Sequence, residues 1–339
     1  MPGGSNSQHT GKSSPSGQTK RTQKHTMTKT ATFQNPIFHD ENKAREALEA
    51  VRWPDGPVCP HCGNSHQEKI AKVEGEKRSH RAGLYYCNEC KGQFTVTVGT
   101  VFERSKVPLT KWWMAAHMLN SGKNGASAHE IHRQIGVTYK TAWFMMHRLR
   151  EAMSTLAPAP MGGEGGQVQA DETYYGNTSK RSKSYRKGHS RKASVVALVD
   201  PASGHARAFH MERGAGADVV RNVLVTNVDR KTTLVTDESK LYTKVGKEFA
   251  THQTLIHTGH EYVNKDGYTT NNVENFFLQF KRGMRGTYIH CGEQHLQRYL
   301  NEFAFRYNNR SGLGVTDGER PAIALKGIEG KRLTYRPIN

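Results

Sequence analysis

The sequence predicts an α/β protein, with a helical module and a cysteine-rich module ahead of the main domain. Three observations carry this. From Gln167 onward, strand-like runs alternate with helical stretches, the pattern of an α/β domain. Well before that point stand two Cys-x-x-Cys pairs, a metal-binding spacing. Between the two lies a helix–glycine–helix succession with capping residues at both helix starts. The 339 residues leave room for two or three domains.

Residues 1–37 read as a basic tail. The first thirty are rich in Ser, Gly, Thr, Gln and His, and carry Lys12, Lys20, Arg21, Lys24 and Lys29 without one acid. Such a composition buries too little apolar surface to fold. Residues 38–105 read as a leading helix, FHDENKAREALEAVRW, and a zinc ribbon. Cys59, Cys62, Cys87 and Cys90 supply four thiolates in two tight turns, the set that suits tetrahedral Zn²⁺. Gly63 and Gly92 permit the close backbone such turns need. Structural Zn²⁺ would supply folding energy to a segment too small for its own core. The four cysteines are preferred as ligands over the nearby His61, His66 and His80, and a redox pair is the competing reading. Cys291 stands apart as an ordinary packed thiol.

Residues 106–156 read as a helix-turn-helix domain. Ser127 caps a helix through Ile131 and Ile135, Gly136 ends it, and Thr138 caps a second with Ala142, Trp143, Met146 and Leu149 on its apolar side. The same spacing fits an ordinary helical hairpin. In the nucleic-acid reading, Tyr139, Lys140 and Thr141 open the recognition helix, and Arg148 adds a cation further along it. Residues 157–166, with two prolines and four glycines, form a linker.

Residues 167–310 form the α/β domain, and 311–339 an irregular basic extension. Three acids of this domain have settings that metal chemistry needs. Asp171 follows a strand opening, Asp237 ends the strand-like run Thr232–Val235, and Glu274 lies in a helical stretch over 270–282. Lys281 is seven residues past Glu274, two helical turns, so both share a helix face. Hard oxygen donors of this kind suit Mg²⁺ or, alternatively, Mn²⁺. Lys180, Arg181, Lys183, Arg186 and Lys187 belong to an acid-free cationic stretch that fits either a DNA-backbone clamp or a solvated loop. Arg282 adds a phosphate-contact candidate beside Lys281. The segment His295–Asn309 carries apolar residues at helical spacing and reads as core.

Charge narrows the function class. Against 30 Asp and Glu stand 49 Lys and Arg, a net +19, and the mean hydropathy is −0.75. That balance predicts a polyanionic partner, because phosphate contacts release condensed counterions. No run of 18 apolar residues predicts a membrane span, and the N-terminus has no apolar stretch that reads as a secretory signal. Paired cysteines of this kind fit a reducing cytoplasm.

The chain resembles zinc-ribbon transposases of bacterial insertion sequences, the Merlin-related group of the DDE superfamily. The resemblance is carried by CPHCG, YYCNECKGQFTVTVGTVFERSKVPLTKWW, VQADETYYGN, TLVTDESKLY, TTNNVENFFLQFKRGMRGTYIH and HLQRYLNEFAFRYNNR, spanning about residues 38–310. It implies a ribonuclease-H-like mixed sheet flanked by helices, with Asp171 and Asp237 as the first two acids of a catalytic triad. In some members an Asn takes the third place, and Asn271 and Asn272 stand just upstream of Glu274. The lysine at plus seven favours Glu274, leaving Asn271 an auxiliary role. His257 and His260 are further candidates to line the site. Glu172 ranks below the triad, because neighbouring strand residues point to opposite faces. The implied activity is metal-dependent cleavage and strand transfer at the terminal inverted repeats, by a homodimer or higher oligomer that binds double-stranded element ends and target DNA. The expected setting is the bacterial cytoplasm, at the nucleoid and not at a membrane. Two alternatives are a catalytically silent DNA-binding regulator and a structure-selective nuclease.

Overall fold

The computed structural model describes residues 33–75, 81–154, 158–176, 193–212, 216–256 and 263–334. Helix α1 (Glu41–Arg52) begins at Asp40, whose carboxylate accepts from the amides of Asn42 and Lys43. Strands β1 (Ile70–Lys72), β2 (Tyr85–Cys87) and β3 (Gln93–Phe94) form a small antiparallel sheet in that order. It is too small for a core of its own. Its Tyr85 and Phe94 stack on each other and meet the edge of Trp53, just past α1.

Helices α2 (Leu109–Ser121), α3 (Ala128–Ile135) and α4 (Tyr139–Ala152) follow. Pro108 cannot cap α2 with its side chain, and Glu41 does so instead, accepting from Leu109 and Thr110 N–H at 2.7 and 3.1 Å. Ser127 and Thr138 occupy the capping positions expected of them. Gly136 ends α3 in the left-handed conformation at φ 62°, ψ 53°. Ile131, Ile135, Ala142, Met146 and Leu149 are buried in one core with α1 and the small sheet.

The main sheet holds β4 (Gln167–Tyr175), β5 (Ala193–Asp200), β6 (His205–Met211), β7 (Thr233–Asp237) and β8 (Thr251–Leu255), in the spatial order β6-β5-β4-β7-β8. β5 pairs antiparallel with both β6 and β4, while β4, β7 and β8 are mutually parallel. That order with those directions is the ribonuclease-H-like sheet. Every residue of β5 from Ala193 to Val199 is buried, because helices cover both faces. Val196 and Leu198 pack with Val220 and Leu224 of α5 (Ala217–Asn227). Val195, Ala197 and Val199 pack under α6 (Asn271–Gly283) and α7 (Leu296–Asn308). The exposed edge of β6 is closed by side-chain amides of α7. Asn308 bonds to Ala206, and Gln297 to Ala208 and His210, which blunts a strand otherwise open to pairing.

The C-terminal residues, expected to be irregular, contain the helix α8 (Arg320–Lys326), and Ala322, Ala324, Leu325 and Ile328 join the N-terminal core. Arg320 ties the region together, donating to the carbonyls of Asn120 and Asn309, both at 2.8 Å. A seven-residue helix has too little periodicity to be read from sequence, and its packing partner lies two hundred residues away.

The two halves are joined through α4 and α7. Arg150 of α4 is buried and reaches Glu302 of α7 at 2.6 Å, and Arg306 and the Tyr288 hydroxyl also bond to that carboxylate. The Arg150 guanidinium lies 3.9 Å from the Tyr299 ring centre, so part of its desolvation is offset by the aromatic face. Burial opposes the charge on Glu302, yet Arg306 and Arg150 outweigh it and hold the carboxyl below its usual range. Glu302→Gln leaves two buried cations with a neutral partner. It should lower unfolding free energy by about 3–5 kcal/mol in urea titration, and a loss below the error of extrapolation would show that the network contributes nothing.

His147 is buried beside this network, against Trp143, His295 and Tyr299. Burial, then Arg150, lowers its pKa to about 2. The folded chain therefore refuses a proton that the unfolded chain takes up near pH 6.5. Stability is full above pH 6.5 and falls as pH drops below it, by up to about 1.4 kcal/mol per unit from this residue. His147→Phe should flatten that acid limb in denaturation curves recorded from pH 7 to 5.

Candidate active site

The ribbon brings the Sγ atoms of Cys59, Cys62, Cys87 and Cys90 within 4.8 Å of one another. Cys59 and Cys90 sulfurs are 3.7 Å apart, and those of Cys62 and Cys87 3.8 Å. A tetrahedron with metal–sulfur bonds of about 2.3 Å has edges of about 3.8 Å, whereas a disulfide needs about 2.05 Å. The donor set therefore fits Zn²⁺. Gly63 takes φ +75°, as the first turn requires, and a Cβ at Gly92 would come within 3.1 Å of the His61 ring. His61 faces the Gln93 carbonyl at 3.2 Å and stands outside the cysteine group. Backbone N–H groups of Cys90, then Glu89, pull the Cys87 thiol down, which favours the thiolate that binds metal.

The acidic site forms where β4 and β7 part. The strands pair in register from Gln167 with Thr233 to Gln169 with Val235. Two residues further along the same register stand Asp171 and Asp237, on the same face as that last pair. Pairing has ended there, so nothing from the sheet fills the space between them. A carboxylate oxygen from each of Asp171, Asp237 and Glu172 lies within one 4.8 Å group. These are hard donors of the kind that Mg²⁺ and Mn²⁺ take, so the residues present fit a divalent cation. Burial, then Asp237 and Glu172, with Glu274 further off, push the Asp171 carboxyl up to about 7. Like charges this close in a half-buried fork hold a proton in place of the missing countercharge.

Glu172 was expected to point away from Asp171, and the structure instead brings its carboxylate into the same group. Alternation does set its Cα against Asp171, but β4 is unpaired on the β7 side at this point, and the long side chain turns into the fork. Its Oε1 accepts from Ser239 Oγ at 3.0 Å, and the buried Tyr242 phenol faces it. Asp171 turns back along its own strand, accepting from Glu172 N–H at 2.7 Å, and Asp237 accepts from Ser239 N–H at 3.0 Å. Ser239 and Tyr242 were missed in the sequence because a short loop after a strand carries no periodic signal. Burial, and secondarily Asp237, raise the Glu172 carboxyl against the opposing bonds from Tyr242 and Ser239.

Glu274 is not within that tight group. It stands exposed in the first turn of α6, where its Oε1 accepts from Thr270 Oγ1 at 2.8 Å. Its field reaches Asp171, as the raised carboxyl there reflects. Asn271 is the exposed first residue of the same helix. Lys281 lies in the last turn of α6, half-buried and 6.0 Å from the Phe277 ring centre, and Arg282 beside it is exposed. On the helix-turn-helix, Tyr139 is 43% exposed and stacked on His129, Lys140 is exposed, and the Thr141 hydroxyl sits 2.9 Å from that of Thr138. Arg148 does not join that surface. It is buried, donates to the Glu103 carbonyl and stacks on Phe144, because its place on α4 faces the core. Lys180, Arg181, Lys183, Arg186, Lys187, His257 and His260 lie outside the described residues.

The site falls within a recognised family. Residues 164–308 match the ISXO2-like transposase domain, and residues 39–93 match the transposase zinc-ribbon domain. The chain belongs to the zinc-ribbon transposases. The first match of this transposase contains all the acids of the site, and the second contains all four ribbon cysteines. A relative from Halobacterium salinarum, "Uncharacterized protein in transposable element ISH50", is 27% identical over 243 residues, covering 68% of this chain and 78% of its own. Among solved structures, a chain of a simian T-cell lymphotropic virus intasome in complex with PP2A regulatory subunit B56 gamma aligns over 55% of this chain and 66% of its own, at 15% identity and TM-score 0.27. A chain of a pre-cleavage Mos1 transpososome aligns over 54% and 73%, at 8% identity and TM-score 0.18. Both superpose loosely, and the fold rests on the strand order and the family match. Among the described residues, no helix of the transposase is long and apolar enough to cross a membrane.

Elemental analysis of the purified transposase should find about one zinc per chain, the stoichiometry of a four-thiolate site. Cys87→Ser should lose the metal and open residues 57–98 to limited proteolysis, since the ion holds a segment with little core. Full resistance to protease after metal loss would show that the ribbon folds without it.

Proposed function

We propose that this transposase binds the terminal inverted repeats of its insertion sequence and cuts and rejoins DNA at the fork between β4 and β7. The observation that carries the reading is the shared register of Asp171 and Asp237, which sets two carboxylates side by side at an unpaired strand end, with Glu172 beside them. Glu274 on α6 supplies the third acid of the triad. Asp171, Asp237 and Glu274 would hold Mg²⁺, or Mn²⁺ in its place, and Glu172 braces the pair through Ser239. The bound cations would lower the pKa of a water or a DNA 3′-hydroxyl and stabilise the departing oxygen. The protein's part is to hold the scissile phosphate in line, through Lys281 and Arg282, and to keep the carboxylates fixed while charge develops.

Recognition falls to Tyr139, Lys140 and Thr141 at the start of α4, with the net +19 supplying attraction to the DNA backbone. The cationic stretch Lys180–Lys187 is assigned to target or flanking DNA. Pairing of two element ends calls for at least two subunits, so a homodimer or larger assembly forms on DNA. The setting is the bacterial cytoplasm, where the nucleoid is reached.

The test uses a labelled duplex carrying the inverted repeats that flank the gene. With Mg²⁺ the wild-type chain should nick at the repeat end and free a 3′-hydroxyl. Asp171→Asn and Asp237→Asn should each slow this by about 10³-fold or more, roughly 4 kcal/mol of barrier, while gel-shift binding persists. Full cleavage by both variants would remove the acids from the chemistry.

A further inference from the structure

The helix that bears Glu274 is capped by its own segment only at its first amide, Asn271 N–H, which donates to Thr269 Oγ1 at 3.1 Å. Thr270 stands at the N-cap of α6 but makes no cap bond with its side chain, and its hydroxyl donates to Glu274 Oε1. The two amides an N-cap ordinarily satisfies are those of the second and third helical residues. Here they are Asn272 and Val273, and both donate to Gln169 Oε1, at 3.0 and 3.3 Å. Gln169 is fully buried on β4, two residues before Asp171 and so on the same face of the strand. Without it, these two N–H groups of the first turn would have no side-chain acceptor from their own segment.

We propose that Gln169 is a positioning residue for the metal centre, whose amide oxygen clamps the first turn of α6 to β4 and thereby sets the separation of Glu274 from Asp171. For its bearing on metal, this inference rests on the function proposed above. Both acids hang from one anchor by short, stiff arms. Asp171 is two strand residues from it, roughly 7 Å along β4. Glu274 is one and two residues beyond the clamped amides, within a single turn of α6. Only the oxygen is engaged, since the buried Nε2 of Gln169 has no hydrogen-bond partner among the described residues. Glutamate at this place keeps the acceptor, and the helix dipole favours its charge. Methionine keeps the length and removes the acceptor.

The experiment compares full-length wild type, Gln169→Met and Gln169→Glu in two readouts. The first is Mn²⁺ binding followed by electron paramagnetic resonance, without DNA. Gln169→Met should weaken it by about 10–100-fold, the cost of losing an outer partner of a metal site. Gln169→Glu should stay near wild type. The second is amide hydrogen exchange at Asn272 and Val273 without metal, where the Met variant should lose protection that the Glu variant keeps. A Met variant with a lowered melting temperature but unchanged Mn²⁺ affinity would make Gln169 a merely structural residue and overturn the proposal. Unchanged amide protection in that variant would overturn the clamp itself. Wild-type protein that bound no Mn²⁺ would instead sink the proposed function, and the exchange data would still decide the clamp.

Discussion

Parallel pairing between β4 and β7 extends over only three residues on each strand, and the site depends on where it stops. Continued pairing would draw the strands together and fill the fork with backbone. Its early end leaves Asp171 and Asp237 in register without a ladder between them. The electrostatic consequence follows directly. Burial, then the neighbouring carboxylates of Asp237 and Glu172, push the Asp171 carboxyl up to about 7. A divalent cation would relieve the repulsion among these carboxylates, offsetting a cost that the metal-free fold carries.

The proposed function requires the helix bearing Glu274 and the helix-turn-helix to keep fixed places around the fork. Different physical devices do this. At the start of α6 it is a hydrogen bond from the strand itself, through Gln169. At the other end, the helix runs into a π-helical turn, Met284–Tyr288, whose Tyr288 joins the Arg150–Glu302–Arg306 cluster. Arg150 belongs to α4, the second helix of the helix-turn-helix. A buried ionic network therefore links the candidate reading helix to the helix that carries an acid of the site. Ion pairs in such a position contribute less to net stability than apolar packing would, but they penalise every misaligned arrangement heavily.

Much of the architecture was legible. Cysteine spacing marked the ribbon, since two thiolates of a tight turn can meet one ion only at that separation. Ser127, Gly136 and Thr138 marked the helix ends, because capping is satisfied by residues next to the helix in sequence. Asp171 stood out just after a strand opening, and Asp237 at the end of a strand-like run. The turn of Glu172 into the fork was not legible because alternation assumes a strand paired on both sides, and β4 has lost one partner there. Arg148 was misjudged because a cation on a recognition helix reads as exposed until its face is known. The short α8 escaped notice because its apolar residues pack against α1, α2 and α4, more than 150 residues upstream.

The sequence alone determined what depends on neighbours along the chain: the metal-binding turns, the helix caps, the apolar alternation of the strands and the strong positive charge. Hydrogen bonds and chelate geometry over a few residues need no distant partner, so they can be read from order. Tertiary structure decided which side chains meet. The strand register sets Asp171 beside Asp237, the fork admits Glu172, Gln169 receives two first-turn amides of α6, and Glu302 of α7 meets Arg150 of α4. Those contacts join residues dozens to hundreds of positions apart, and only the packed sheet and helices fix the distances across which charge and hydrogen bonding act.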